Sequence, residues 1–297
     1  FTLSNTSFVT FAATSSWQNT SSTVSVTKGG AQTTFQVPTT SEWTNFVFQG
    51  SSYASDGTTR LYLSADMTLS LTSSTLYTSV SSTFAALTID GASSINASGQ
   101  GCIGGIGGGD LRGYGPDTGT GACTIETSGY GKANRGGAAH GGTGGRGLDS
   151  GTDQATTYDS STDPSLLGSG GGAGGNGGED GGTGGGRVRL VVSGTLTING
   201  SVKADGGNTP SVVYGGAGGS GGSIYINAAT LAGSGSITAN GGNGYVNGGG
   251  GGGGRMSFTY SGLTFSGTSS TTGGIKGAQP QPESGSDGSI YTLLLNQ

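Results

Sequence analysis

Residues 170–186 read GGGAGGNGGEDGGTGGG. From residue 171 the stretch divides into threes: Gly-Gly-Ala, Gly-Gly-Asn, Gly-Gly-Glu, Asp-Gly-Gly, Thr-Gly-Gly. Related runs recur at 136–147, 215–222 and 241–254. A three-residue beat suits a polyproline-II-like helix, which has three residues per turn and no internal hydrogen bonds. Two glycines per triplet leave two faces without side chains, so neighbouring backbones can approach closely. A single run of this kind is a flexible linker. Several runs from one chain can instead satisfy each other's N–H and C=O groups. Collagen is a poor fit, because the Gly-x-y repeat breaks often and the chain has only 6 prolines.

Working outward, glycine supplies 68 of 297 residues, and serine with threonine adds about 80. Hydrophobic residues are 30% and charged residues 9%. Disorder usually accompanies high charge, and charge is scarce here. The composition leaves a low-complexity polymer or an ordered, hydrogen-bond-rich structural protein, and the second is the expectation. A net charge of -5, with 11 scattered basic residues, argues against a nucleic-acid partner. No apolar run reaches the length of about 18 residues that a membrane-spanning helix needs. The sequence begins at Phe1 rather than Met, and its composition favours removal of a leader and export.

Only 6 glycines fall in residues 1–100, which suggests two domains. Residues 1–82 read as a β-sandwich-like or jelly-roll-like domain. Its β-prone runs are 23–26, 33–37, 45–49, 60–63, 67–71 and 76–80, separated by polar turns. Phe1, Leu3, Val9 and Phe11 share a parity. Residues 1–15 are therefore either the first strand of this domain or a donor strand that completes a neighbouring subunit's sheet. The opening FTL resembles the mature start of type IV pilins, but the long apolar helix and the glutamate at the fifth position are missing.

Residues 83–297 carry a repeat. The units are ALTIDGASSINASGQG at 86–101, RVRLVVSGTLTINGSVKADGG at 187–207, SIYINAATLAGSGSITANGG at 223–242 and RMSFTYSGLTFSGTSSTTGG at 255–274. A last strand, SIYTLLL, begins at 289. The starts at 187, 223, 255 and 289 are about 34 residues apart. Each unit is a strand, a tight turn, a second strand and Ala-x-Gly-Gly leading into a glycine run. A period in this range means that each unit buries its apolar face against its neighbours. Val188, Leu190, Leu196, Val202, Ile224, Ile226, Leu231 and Ile237 are expected to line the inside.

The unit GSGSITANGGNG at 233–244 resembles the glycine-rich β-helical segments of many extracellular proteins. The triplets also resemble the polyglycine-II layers of phage tail-fibre adhesins and of some ice-binding proteins. These resemblances cover about residues 83–297 and imply a glycine-rich β-solenoid with packed polyglycine-II-like segments; with the sandwich-like domain before it, the expected fold is all-β. They imply no site residue. Ice binding calls for a flat array of regularly spaced threonines, and Thr195 and Thr197 are not continued by one.

Catalysis on a β-helix needs clustered carboxylates or a base beside them. The densest acidic group is Asp149, Asp153, Asp159 and Asp163, beside Tyr158 and Pro164. It reads as a solvated loop or as an oxygen-ligand calcium site, although its spacing fits no EF-hand. No other cofactor is implied. His140, the only histidine, lies between glycines with no visible nucleophile or orienting acid and reads as a structural or surface residue. Chance GxGxxG matches carry no weight in a chain this rich in glycine, and no GxxxxGK[ST] occurs. Cys102 and Cys123 are either two free thiols or a disulfide closing a loop of about 20 residues, and export favours the disulfide. Asn5, Asn19, Asn96 and Asn199 stand in glycosylation sequons. Tyr114, Tyr130, Tyr214 and Tyr245 lie in glycine-rich loops, where they either stack on sugars or cap glycine layers. The sequence is therefore expected to encode a non-enzymatic extracellular fibril protomer whose partner is itself. The alternative is an adhesin that binds glycans through loops such as 149–166.

Overall fold

The computed structural model describes residues 80–107, 111–117, 122–125, 135–148, 154–174, 180–209 and 215–295, together with strand backbones between 18 and 77. The described residues are all-β and contain no helix. The early strands are β1 (Gln18–Thr20), β2 (Val24–Ser25), β3 (Thr34–Gln36), β4 (Asn45–Gln49), β5 (Ser52–Ala54), β6 (Arg60–Tyr62), β7 (Thr68–Thr72) and β8 (Thr75–Tyr77). Next come β9 (Val80–Phe84), β10 (Ala86–Ile89), β11 (Ser94–Asn96), β12 (Tyr114–Pro116) and β13 (Cys123–Ile125). The last seven are β14 (Arg187–Ile198), β15 (Ser201–Lys203), β16 (Ser223–Gly233), β17 (Ser236–Thr238), β18 (Arg255–Phe265), β19 (Thr268–Ser270) and β20 (Ser289–Leu294).

Two parallel sheets account for all of these strands except the antiparallel pair β12–β13. The larger sheet runs β1-β4-β7-β10-β14-β16-β18-β20, with β3, β6 and β9 beside it. The smaller runs β2-β5-β8-β11-β15-β17-β19. Arg187, Ser223, Arg255 and Ser289 are successive register partners, so the four repeat starts align as the sequence predicts. Alternation then produces rows across the larger sheet. Val80, Val188, Ile224 and Met256 form one row, and Leu190, Ile226 and Phe258 form the next. A third row joins Ile95, Val202 and Ile237 in the smaller sheet. All eight residues expected to line the inside are buried. Period-2 alternation puts these rows on one face, and their burial supplies the apolar core that glycine lacks.

Within residues 1–82, five of the expected runs have strands at nearly the predicted places: β2, β3, β4, β6 and β7. A sandwich is built from antiparallel pairs, whereas the pairs here are parallel: β1 with β4, β2 with β5, β3 with β6 and β4 with β7. The pairing also passes residue 82 without a break, because β7 bonds β10, β8 bonds β11 and β9 bonds β14. Residues 1–17, including Phe1, Leu3, Val9 and Phe11, lie outside the described residues.

The glycine runs bond to each other at three-residue steps. Gly168 and Gly171 donate to Gly185 and Gly182, in opposed directions. Gly182 and Gly185 donate to Ala217 and Ser220, in the same direction. Gly218 and Gly221 donate to Gly249 and Gly252, which in turn donate to Arg135 and Ala138. The run 249–254 also reaches 283–286 through Gly250 N to Glu283 O at 3.0 Å and Gly253 N to Ser286 O at 2.9 Å. One run thus has partners on several sides, unlike a strand in a flat sheet, and its buried amides are satisfied.

Side chains tie the strands to these runs. Asp205 accepts from Asn240 N at 2.7 Å and from the Thr238 hydroxyl at 2.9 Å. Asn240 Oδ1 accepts from Thr272 N at 2.9 Å. The variable position of Ala-x-Gly-Gly therefore forms a polar ladder, while the alanines Ala97, Ala204 and Ala239 are buried. Cys102 and Cys123 form a disulfide that fastens β13 to the glycine-rich segment 99–107 after β11.

Candidate functional site

The one buried cluster of titratable groups described centres on His140. Its flanking glycines let the run pass close to its neighbours, and Gly141 N and Gly142 N both donate to Gly253 O. This draws the imidazole into the interior, where His140 has no exposed surface. Nδ1 lies 2.9 Å from the Gly221 carbonyl oxygen, and Nε2 lies 3.2 Å from Asp159 Oδ2. The Tyr158 ring stacks on the imidazole with centroids 4.6 Å apart. Tyr158 N donates to His140 O at 3.0 Å, and its hydroxyl donates to Leu167 O at 2.6 Å.

Asp159 adopts a left-handed φ of 69°, which short polar side chains tolerate better than most. That turn aims its carboxylate inward. Oδ2 accepts from Ser165 N at 2.9 Å and Leu166 N at 3.0 Å, and Oδ1 accepts from Ser160 N at 2.8 Å. The Ser223 hydroxyl lies 2.6 Å from Leu166 O and 3.1 Å from Asp159 Oδ2. Burial pushes the Asp159 carboxyl up, but the hydrogen bond and charge of His140, with the Leu166 and Ser160 amides, outweigh it and bring it down to about 2.

A carboxylate depressed in the folded state contributes stability that is present above its unfolded value near 4 and is lost as pH falls toward 2. Asp159 is expected to contribute about 2 kcal/mol in this way. Denaturant titrations at pH 4 and pH 2 should show the native chain losing that much more than Asp159→Asn. Equal losses would remove Asp159 as the cause.

The sequence showed no orienting acid for His140, and the structure supplies Asp159, 19 residues away. The imidazole is a buried structural group, not a surface one. Both ring nitrogens are committed, so it offers no free nitrogen to activate a nucleophile. The four aspartates do not act together where they are described. Asp159 serves His140, Asp163 pairs with Arg189, and Asp149 and Asp153 lie outside the described residues. Among the described residues, no group of three or more His, Cys, Asp or Glu side chains is placed to hold a metal ion. No described helix is long and apolar enough to cross a membrane.

The sequon asparagines scatter. Asn96 Oδ1 accepts from Ser98 N in β11's turn. Asn199 is exposed between β14 and β15, and its Oδ1 accepts from Ser234 N. Asn19 lies in β1, and Asn5 lies outside the described residues. Tyr114 sits in β12 and Tyr245 is exposed, while Tyr130 and Tyr214 lie outside the described residues.

No family model, no curated protein and no solved structure matches this chain.

Proposed function

We propose that the chain is the structural protomer of an extracellular fibril or pilus-like appendage, built as a β-solenoid with a polyglycine-II-like lattice on one side. The observation that carries this reading is the state of β20. The row that is fully buried at Val188, Ile224 and Met256 continues to Ile290, which is 42% exposed. Leu293 and Leu294 are exposed beside it. Natural edge strands are usually blunted by charge, proline or a cover, and β20 carries no charge or proline. β1 is at the opposite end of the same sheet. Joining β20 of one copy to the N-terminal edge of the next is a head-to-tail contact that does not close, which generates a filament. The disulfide suits an oxidising, extracellular setting.

The test is negative-stain electron microscopy of the full chain and of the double variant Ile290→Lys, Leu294→Lys. Filaments from the native chain and discrete particles from the variant are expected. A native chain that stays monomeric at high concentration, with its N-terminus intact, would sink the fibril reading.

One observation favours a second reading, a glycan-binding adhesin that works through a surface other than loop 149–166. An open polar groove of about 630 Å³ follows the turns between the two sheets, lined by Ser94, Asn199, Lys203, Ser236 and Thr268 among others. Discrete particles from the native chain, together with signal on a glycan array, would select it.

A further inference from the structure

The segment 154–167 crosses the outer side of three successive strands of the larger sheet. At β14, Ser165 O accepts from Arg187 and Asp163 pairs with Arg189. At β16, Leu166 O accepts from the Ser223 hydroxyl. At β18, Thr162 O accepts from the Ser257 hydroxyl at 2.7 Å and Tyr158 O from Arg255 Nε at 2.7 Å. The segment is therefore a strap over three rungs. Its other attachment is His140, which belongs to a glycine run and not to the strap.

Both partners of the His140 ring are acceptors. Gly221 O has no proton to give, and Asp159 is ionised across the neutral range. A neutral imidazole has one N–H and one lone pair, whereas the imidazolium has two N–H groups. A neutral ring in this cage would set its lone pair directly against an acceptor, at 2.9 Å or 3.2 Å. It would also take from the buried Asp159 carboxylate the cation in direct contact with it.

We propose that His140 is carried as an imidazolium inside the glycine lattice, and that its two N–H bonds latch the 154–167 strap across β14, β16 and β18. Among the described residues, the titratable groups against the ring are Asp159 and Tyr158 from the strap, and Arg255 of β18 bonds the Tyr158 carbonyl beside them. The run that carries Gly221 presents only backbone, and β16 presents the neutral Ser223 hydroxyl. Among the described residues, Asp159 is thus the one anion paired with the ring. Without the imidazolium's extra proton one of the two bonds is lost, so the strap is released from its lattice end. Acidification to pH 4 leaves the latch closed, because Asp159 keeps its charge down to about 2.

The single histidine makes the test direct. In the full chain labelled with ¹⁵N-histidine, nitrogen shifts at pH 6 should show two protonated ring nitrogens. On raising the pH, loss of one proton should coincide with faster proteolytic cleavage within 154–167. His140→Gln should show the fast cleavage already at pH 6, by roughly tenfold or more, since an unsatisfied buried partner costs about 1–3 kcal/mol. One bare ring nitrogen at pH 6 in the folded chain would overturn the proposal. So would strap cleavage unchanged by ring deprotonation. The nitrogen measurement needs only the native chain, so it decides the question even if the variant does not fold.

Discussion

Gly253→Ala is expected to destabilise the fold by about 3 kcal/mol or more, while Gly91→Ala leaves it within about 1 kcal/mol of the native value. A Cβ at Gly253 would stand 1.8 Å from the Thr271 carbonyl oxygen and 2.5 Å from Gly288 N. Both are backbone atoms of packed neighbouring segments, so neither can swing away as the end of a long side chain could. The residue's own N–H is meanwhile held at 2.9 Å by Ser286 O, which fixes the run between its neighbours. At Gly91, in the turn after β10, an added Cβ meets nothing within 4 Å. In a chain of this size about 3 kcal/mol corresponds to a drop of roughly 5 °C in melting temperature, readable by circular dichroism. Equal melting of the two variants would mean that close backbone packing does not hold the runs together.

The second expected result uses two isoleucines in one row. Ile224→Ala should cost about 3 kcal/mol, because Ile224 is fully buried between Val188 and Met256 and its loss leaves a cavity. Ile290→Ala should cost under about 1 kcal/mol in the isolated chain, since its side chain is already 42% exposed. Denaturant midpoints of the two variants read the difference. In assembled filaments the proposed interface places a further strand over β20, and Ile290→Ala should then approach the cost of Ile224→Ala. A full-sized loss from Ile290→Ala in the monomer would show that some other part of the chain already covers β20.

Much of this fold was legible because it is written in local periods. The starts at 187, 223, 255 and 289 were readable as recurrences, and they became register partners. Alternation in SIYIN and RVRLVV marked the buried rows, since successive side chains on a strand face opposite sides. The parallel pairing of the strands before residue 82 was not legible. Short Ser/Thr-rich runs such as those around β2 and β3 alternate identically whether they join a hairpin or a distant strand. The His140–Asp159 pair was invisible for a related reason. Nothing near GGAAHGG signals an acid 19 residues away, and the unusual backbone turn at Asp159 that aims its carboxylate inward has no sequence motif.

By itself the sequence determined the strand period, the inward rows and the three-residue beat of the glycine runs. Each depends on backbone geometry and side-chain size over a few residues. The tertiary structure alone decided which run bonds to which, and in which direction. Gly182 accepts from Gly171 on one side and donates to Ala217 on another, although glycines throughout the chain are chemically alike. With no side chain to distinguish one partner from another, the choice falls to the strands that hold each run in place.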